Sequence, residues 1–131
     1  MAVDTNMRVL IVDDYKTMLR IMRNLLKQLN FNNVEEAIDG SAALGKLRDG
    51  EGDYGLIISD WNMPNMDGLE LLKTIKGYPE LETIPFIMIT SETEKDKVDE
   101  AFKAGVNQYI FKPYKFKYFE EKIQQTLGKN L

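Results

Sequence analysis

The 131-residue chain contains no cysteine and no histidine. Without Cys, disulfides, thiolate nucleophiles, zinc ribbons and iron–sulfur clusters are excluded. Without His, Ser-His and Cys-His catalysis, a histidine general base and most transition-metal sites are excluded as well. Any chemistry must run on carboxylates, hydroxyls, lysines and hard cations. Long hydrophobic runs are also missing: stretches such as Leu56-Ile57-Ile58 fall far short of the ~18 apolar residues of a membrane span. The opening Met1-Ala2-Val3-Asp4-Thr5-Asn6 has no signal-peptide pattern, so the expectation is a soluble cytoplasmic protein with a flexible N-terminus over residues 1–6. Nor is there an excess of positive charge. Lys+Arg number 17 against 21 Asp+Glu, a net charge of -4, which argues against nucleic acid or an anionic membrane as partner.

What is present is ordinary for one globular domain over residues 1–131: 44% hydrophobic, 29% charged, 9 Gly and 4 Pro. Short apolar runs alternate with stretches of helical period. Arg8-Val9-Leu10-Ile11-Val12 reads as a strand buried on both faces, because its β-branched run does not alternate. Met18, Ile21, Met22, Leu25, Leu26 and Leu29 recur at three- and four-residue steps and predict a helix from Thr17 to Leu29, ended by Asn30 and Asn32-Asn33. A second strand is expected at Val34–Ile38, a turn at Asp39-Gly40, and a helix capped by Ser41 and carrying Ala42, Leu44 and Leu47. A Gly-rich loop from Asp49 to Gly55 precedes a central strand, Leu56–Ser59. After the Pro- and Asn-rich stretch Trp61–Gly68 comes a helix with Leu69, Leu72 and Ile75, stopped at Tyr78-Pro79. Phe86–Ile89 is strand four. A helix from Glu94 to Ala104 carries Val98, Ala101 and Phe102, with Ser91 and Glu94 as its capping box and Gly105 closing it. Gln108–Phe111 is strand five, and a last helix after Pro113 carries Phe116, Phe119, Ile123 and Leu127. Five strands alternating with five helices predict a doubly wound α/β domain, whose ligands bind outside the carboxyl ends of the strands.

Asp13-Asp14 and Asp60 stand at those ends. Neighbouring strands lie ~4.8 Å apart, so pairing of the first and third strands would crowd three carboxylates into one pocket. They would repel one another unless a cation held them. Helix capping accounts for Asp14 but leaves Asp13 and Asp60 unexplained. A metal site is favoured, with Mg²⁺ the fitting ion, since it takes one or two carboxylates alongside water and phosphate oxygens. Lys112, ending strand five, and Thr90, ending strand four, add a cation and a hydroxyl at the same edge, as binding of a tetrahedral anion requires.

Asp13-Asp14, the run Ser59-Asp60-Trp61-Asn62-Met63-Pro64-Asn65-Met66-Asp67-Gly68, Ile89-Thr90, and Tyr109 with Lys112-Pro113 resemble the receiver domain of two-component response regulators, in particular its single-domain chemotaxis members. The likeness covers the chain from Met7 onward. It implies one receiver domain with a flavodoxin-like five-stranded parallel sheet in the order 2-1-3-4-5. It further implies that Asp60 is the phosphoacceptor, that Asp13, Asp14, Asp60 and the backbone carbonyl of Asn62 hold Mg²⁺, and that Lys112 and Thr90 contact the phosphoryl group. Thr90 and Tyr109 would form the switch. Thr93, Lys95, Val98, Tyr109, Phe111 and Lys122 would form the partner face, with simple burial the plainer account of Val98 and Phe111. Asn62 and Glu92 stand where the family tunes phosphate lifetime.

The implied donor is a histidine kinase and the implied target the flagellar motor switch protein, with a phosphatase as a further partner and a monomer as the expected state. Glu94 departs from the lysine of the enteric chemotaxis member, the Gly50–Gly55 loop is longer than expected, and Tyr15-Lys16 alters the rim of the acid pocket. A stand-alone phosphate shuttle or sink would look almost the same. A Mg²⁺-dependent phosphohydrolase is a further reading, weakened because Asn62 stands where such enzymes need a second Asp, and an amide cannot take a proton. The chain is therefore expected not to be a turnover enzyme. A nucleotide or flavin module is set aside because Asp13-Asp14-Tyr15-Lys16-Thr17 has no Gly and presents acids where a phosphate would dock. The run Lys112–Phe119 interleaves bases and aromatics as single-strand binders do, but helix phasing explains it with Phe116 and Phe119 inward and Lys115 and Lys117 in water.

Overall fold

In the computed structural model, which describes residues 4–50 and 53–128, the strands β1 (Arg8–Val12), β2 (Val34–Ala37), β3 (Tyr54–Asp60), β4 (Phe86–Thr90) and β5 (Gln108–Phe111) form one parallel sheet in the order β2-β1-β3-β4-β5. Five helices alternate with them: α1 (Lys16–Gln28), α2 (Gly40–Asp49), α3 (Gly68–Ile75), α4 (Lys95–Lys103) and α5 (Phe116–Leu127). This is the expected flavodoxin-like arrangement. Residues 1–3 of the expected flexible terminus and Glu51-Gly52 of the expected loop lie outside the described residues.

Both faces of the sheet are covered, which is why its strands read as continuous apolar runs. Val9, Ile11, Leu56, Ile58, Ile87, Ile89 and Ile110 pack with Leu19, Met22, Leu26, Phe119 and Ile123 of α1 and α5. Leu10, Val12, Ile57, Phe86, Met88 and Tyr109 pack on the other face with Ala43, Leu47, Leu71, Leu72, Ile75 and Ala101 of α2, α3 and α4. Each fully buried aliphatic contributes about 1.5–3 kcal/mol relative to exposure. Among the described residues no helix is long and apolar enough to cross a membrane.

Several local expectations are corrected. The apolar stripe of α1 is wider than the face the sheet covers, so Leu19 is buried while Ile21 is exposed. In α2, Ala43 rather than Ala42 is buried. The cap of α2 is Asp39, not Ser41: its carboxylate accepts from Ala42 N at 2.8 Å and its other oxygen from Asn65 Nδ2 at 2.8 Å. The helix therefore starts two residues earlier than expected, with a residue of a distant loop holding its cap. β2 stops at Ala37, leaving Ile38 exposed, and β3 begins at Tyr54, inside the expected loop. The capping box lies not at Ser91 and Glu94 but at Asp67 and Glu70, where Glu70 N donates to Asp67 Oδ1 at 2.8 Å and Asp67 N to Glu70 Oε1 at 3.4 Å. Glu94 is the cap residue of α4 and makes no side-chain cap; the preceding turn is held by Glu92 N donating to Thr90 Oγ1 and Glu94 N donating to Glu92 Oε1. Phe102 is exposed. In α5, Phe119 is buried, Phe116 half-buried and Lys117 exposed, and Lys115, the cap residue before it, is exposed too, which supports helix phasing over a single-strand platform.

The loop after β3 is clamped by close backbone approach. Gly68 N donates to Trp61 O at 2.8 Å, and a Cβ on Gly68 would fall 2.3 Å from Asp60 O and 2.8 Å from Met88 Sδ. Gly68→Ala is therefore expected to cost about 3 kcal/mol, the upper range for overpacking a rigid site. The check is the midpoint of urea unfolding, and a midpoint equal to wild type would show that this contact is not a constraint.

Candidate functional site

Register brings the chemistry together. Val12 pairs with Ser59, Asp60 with Ile89, and Thr90 with Phe111. The residues one step beyond, Asp13, Asp60, Thr90 and Lys112, therefore end side by side at the carboxyl edge of the sheet. Lys112 N donates to Thr90 O at 2.9 Å, extending the β4–β5 ladder to the lysine itself.

One carboxylate oxygen from each of Asp13, Asp14 and Asp60 lies within 4.8 Å of the others. Asp13 and Asp60 are buried and Asp14 is exposed. Lys112 Nζ stands 3.5 Å from Asp60 Oδ1 and 3.7 Å from Asp13 Oδ2, bridging the two buried acids. Asp60 Oδ1 also accepts from Trp61 N at 2.9 Å, and Asp13 Oδ1 from Tyr15 N at 2.9 Å. Asp13, not Asp14, is thus the acid that ties down the start of α1, whose cap residue Tyr15 makes no side-chain cap.

Burial pushes the Asp13 carboxyl above its ordinary value, opposed by the Tyr15 N–H and the Lys112 charge. Burial likewise raises Asp60, opposed first by Lys112 and reinforced by the Asp13 charge. Both shifts describe anions held in a place that disfavours them, the signature of a site built for something other than stability. Asp13 Oδ2 is buried without a hydrogen-bond partner among the described residues. An orphaned carboxylate oxygen amid oxygen donors of one charge, with no histidine or cysteine anywhere in the sequence, fits a hard divalent cation.

The remaining sequence-derived residues divide into two groups. Thr90 is fully buried, and Glu92 links it to Tyr109: Glu92 N donates to Thr90 Oγ1 at 3.1 Å, while the Tyr109 hydroxyl donates to Glu92 O at 3.1 Å. Burial, then the Glu92 and Asp60 charges, pushes the Tyr109 hydroxyl up to about 12, so it stays a donor. Its ring is buried between Trp61, 6.4 Å away, and Phe111, 5.0 Å away. Asn62 is exposed two residues past Asp60. Of the partner-face residues, Thr93 and Lys95 are exposed, whereas Val98, Phe111 and Lys122 are half-buried. Lys122 Nζ reaches Gln108 Oε1 at 3.5 Å and stands over the Tyr118 ring.

Two features escaped sequence reading. Phe102, exposed, lies 6.5 Å from the Tyr109 ring and extends that aromatic surface; its four-residue step from Val98 was the available signal. Lys97 Nζ lies 5.8 Å from the centre of the Trp61 ring, a contact between α4 and the site loop with no sequence signal.

Residues 9–124 match the family model described as the response regulator receiver domain. Chemotaxis protein CheY-3 of Vibrio cholerae serotype O1 is 48% identical over 120 residues, 92% of this chain and 91% of that protein. Chemotaxis protein CheY of Pseudomonas aeruginosa is 44% identical over 119 residues, 91% of this chain and 94% of that protein. The solved structure of chemotaxis response regulator CheY4 of Vibrio cholerae superposes with a TM-score of 0.85 at 30% identity, covering 93% of this chain and 99% of that one.

Proposed function

The chain belongs to the response regulator receiver domain family, with chemotaxis proteins among its relatives, and from that premise we propose that it accepts a phosphoryl group on Asp60 and relays it as a change of surface. The carrying observation is the placement of the Asp60 carboxylate, 3.5 Å from Lys112 Nζ and clustered with the Asp13 and Asp14 oxygens. A carboxylate attacking phosphorus must approach anionic oxygens, and the Lys112 ammonium lowers that barrier by meeting their charge. An Asp60 oxygen forms a bond to phosphorus while the bond from phosphorus to the imidazole nitrogen of a kinase phosphohistidine breaks. The electron pair of that bond remains on the nitrogen. Asp13, Asp14, Asp60 and the Asn62 carbonyl are the residues that would hold Mg²⁺, which when bound supplies further charge neutralisation.

The acyl phosphate then persists. The chain has no histidine to activate water, and Asn62 offers an amide where a phosphohydrolase needs a proton-transferring acid. A slowly lost group suits a signal, so the chain acts as a switch and not as a turnover enzyme on an external substrate. Thr90 reads the new charge by turning its hydroxyl to a phosphoryl oxygen, giving up the bond it accepts from Glu92 N. Because Glu92 O is also the acceptor of Tyr109, movement of that one residue passes to the ring and to the surface of Phe102, Phe111, Val98 and Lys95.

The proposed partner of that surface is the flagellar motor switch protein, and the proposed donor a histidine kinase. The experiment compares Thr90→Ala with wild type for labelling by acetyl phosphate and for donor-dependent capture of the motor switch protein. The variant is expected to take up phosphate and to lose most of the donor-dependent capture. Normal capture by Thr90→Ala would break the proposed coupling. Efficient labelling of wild type with no donor-dependent capture at all would favour the shuttle or sink.

A further inference from the structure

The run Lys112–Phe119 holds one group that neither the phosphoryl chemistry nor apolar packing uses. Tyr114 lies two residues beyond Lys112, and its ring stacks on Phe119 with centroids 5.6 Å apart, packed against the layer that contains Val9, Ile11 and Leu19. A ring serves that packing, but a hydroxyl does not. The Tyr114 oxygen is buried and has no hydrogen-bond partner among the described residues. Buried polar atoms left in that condition are few in folded proteins and call for a reason.

Among the described residues, the other buried side-chain oxygen in the same condition is Asp13 Oδ2. Lys112 Nζ, 3.7 Å from it, is too far for a direct hydrogen bond. Asp13 continues the alternation of Val9 and Ile11, which points to the α1 and α5 side of the sheet, the side on which Tyr114 packs. The phenol senses that carboxylate: burial, and after it the Asp13 charge, pushes the Tyr114 hydroxyl up to about 12, so it keeps its proton and can only gain by donating it in a hydrogen bond. A donor and an anionic acceptor on one side of the sheet, both orphaned and not in direct contact, are the two partners one bridging water needs.

We propose that Tyr114 is a positioning residue for the acid cluster: its hydroxyl donates through one water to Asp13 Oδ2 and holds that carboxylate in the orientation that receives a divalent cation. The proposal rests on the metal-binding reading of the site given above, and its test separates the two.

Tyr114→Phe keeps the ring and its stack on Phe119 and removes only the hydroxyl. The Mg²⁺ concentration at half-saturation, read from Trp61 fluorescence, is expected to rise roughly tenfold, as for other losses of a ligand's supporting hydrogen bond. The melting temperature should hardly change. In protein labelled with ¹³C at tyrosine Cζ, the resonance missing from Tyr114→Phe identifies Tyr114. That resonance is expected to move when Mg²⁺ is added and when Asp13 is replaced by Asn. Equal Mg²⁺ affinity of Tyr114→Phe and a wild type that binds would overturn the role of Tyr114 alone, even if the variant melted lower, since a packing residue would do that. A Tyr114 resonance indifferent to Asp13→Asn would overturn it too. Failure of the wild type itself to bind Mg²⁺ would remove the metal-binding reading and this proposal together.

Discussion

Incubated with acetyl phosphate and Mg²⁺, the Asp60→Asn protein is expected to keep its unmodified mass, while the wild-type chain gains one phosphoryl group by intact-protein mass spectrometry. The effect should be complete to the limit of detection, because an amide has neither the anionic oxygen nor the nucleophilicity the displacement needs. Loss of folding does not explain it: the Asn carbonyl still accepts from Trp61 N, and the substitution removes one of two buried like charges. Asp13 is a poor substitute nucleophile, since its attachment through Tyr15 N at the start of α1 fixes its direction. An adduct of equal size on Asp60→Asn would move the acceptor elsewhere and take the switch mechanism with it.

The second large effect runs against intuition: Asp13→Asn is expected to make the metal-free protein more stable while crippling its response to Mg²⁺. Asp13 is a buried carboxylate whose folded-state pKa is raised, chiefly by burial. The folded protein therefore binds a proton more readily than the unfolded chain does, and at neutral pH its charged form is a burden on folding. Asn removes that charge, keeps an oxygen for Tyr15 N, and leaves Lys112 its contact with Asp60. A gain of about 1–2 kcal/mol follows from removing a poorly compensated buried charge, raising the melting temperature by roughly 4 °C or more.

The sign with pH is checked in the same experiment. As pH falls from neutral through the raised folded-state value, wild type recovers what Asp13 cost it, and recovery is complete below the ordinary carboxylate value of 3.8. The gap between the two proteins should therefore narrow on acidification. Glu35 and Asp39, whose carboxyls are lowered by Arg8 and by the Ala42 N–H, lose their stabilisation below their ordinary values of 4.5 and 3.8, at the acid end of that range and beyond, and do so equally in both proteins. Mg²⁺ should raise the melting temperature of wild type, since a ligand of the folded state stabilises it. It should do so far less for Asp13→Asn, with the Trp61 fluorescence titration displaced to higher Mg²⁺. A variant less stable than wild type at neutral pH would show that the acid cluster carries no electrostatic strain.

Why the architecture was legible while its details were not follows from particular residues. Val9 to Val12 and Phe86 to Ile89 are apolar without alternation, and only a sheet covered on both faces buries such a run, so the fold class was implicit in the pattern. Asp13, Asp60, Thr90 and Lys112 were legible because each ends a strand, and parallel strands end at one edge. The cap of α2 was not, because Asp39 owes part of its hold to Asn65, twenty-six positions away. The exposure of Ile21 and Phe102 was not either, because helical period marks an apolar stripe without saying how much of it the sheet will cover.

Chain order and residue type alone therefore determined the doubly wound sheet, the carboxyl-edge site and its acid, hydroxyl and lysine components, since these depend on local periodicity and on where strands stop. Only the folded molecule decided that Lys112 spans Asp13 and Asp60, that Glu92 joins Thr90 to Tyr109, and that the Tyr114 and Asp13 oxygens, on the same side of the sheet, find no hydrogen-bond partner among the described residues. Those facts are distances between segments far apart in the chain, and burial acts on them through the loss of water around each charge, which no local pattern encodes.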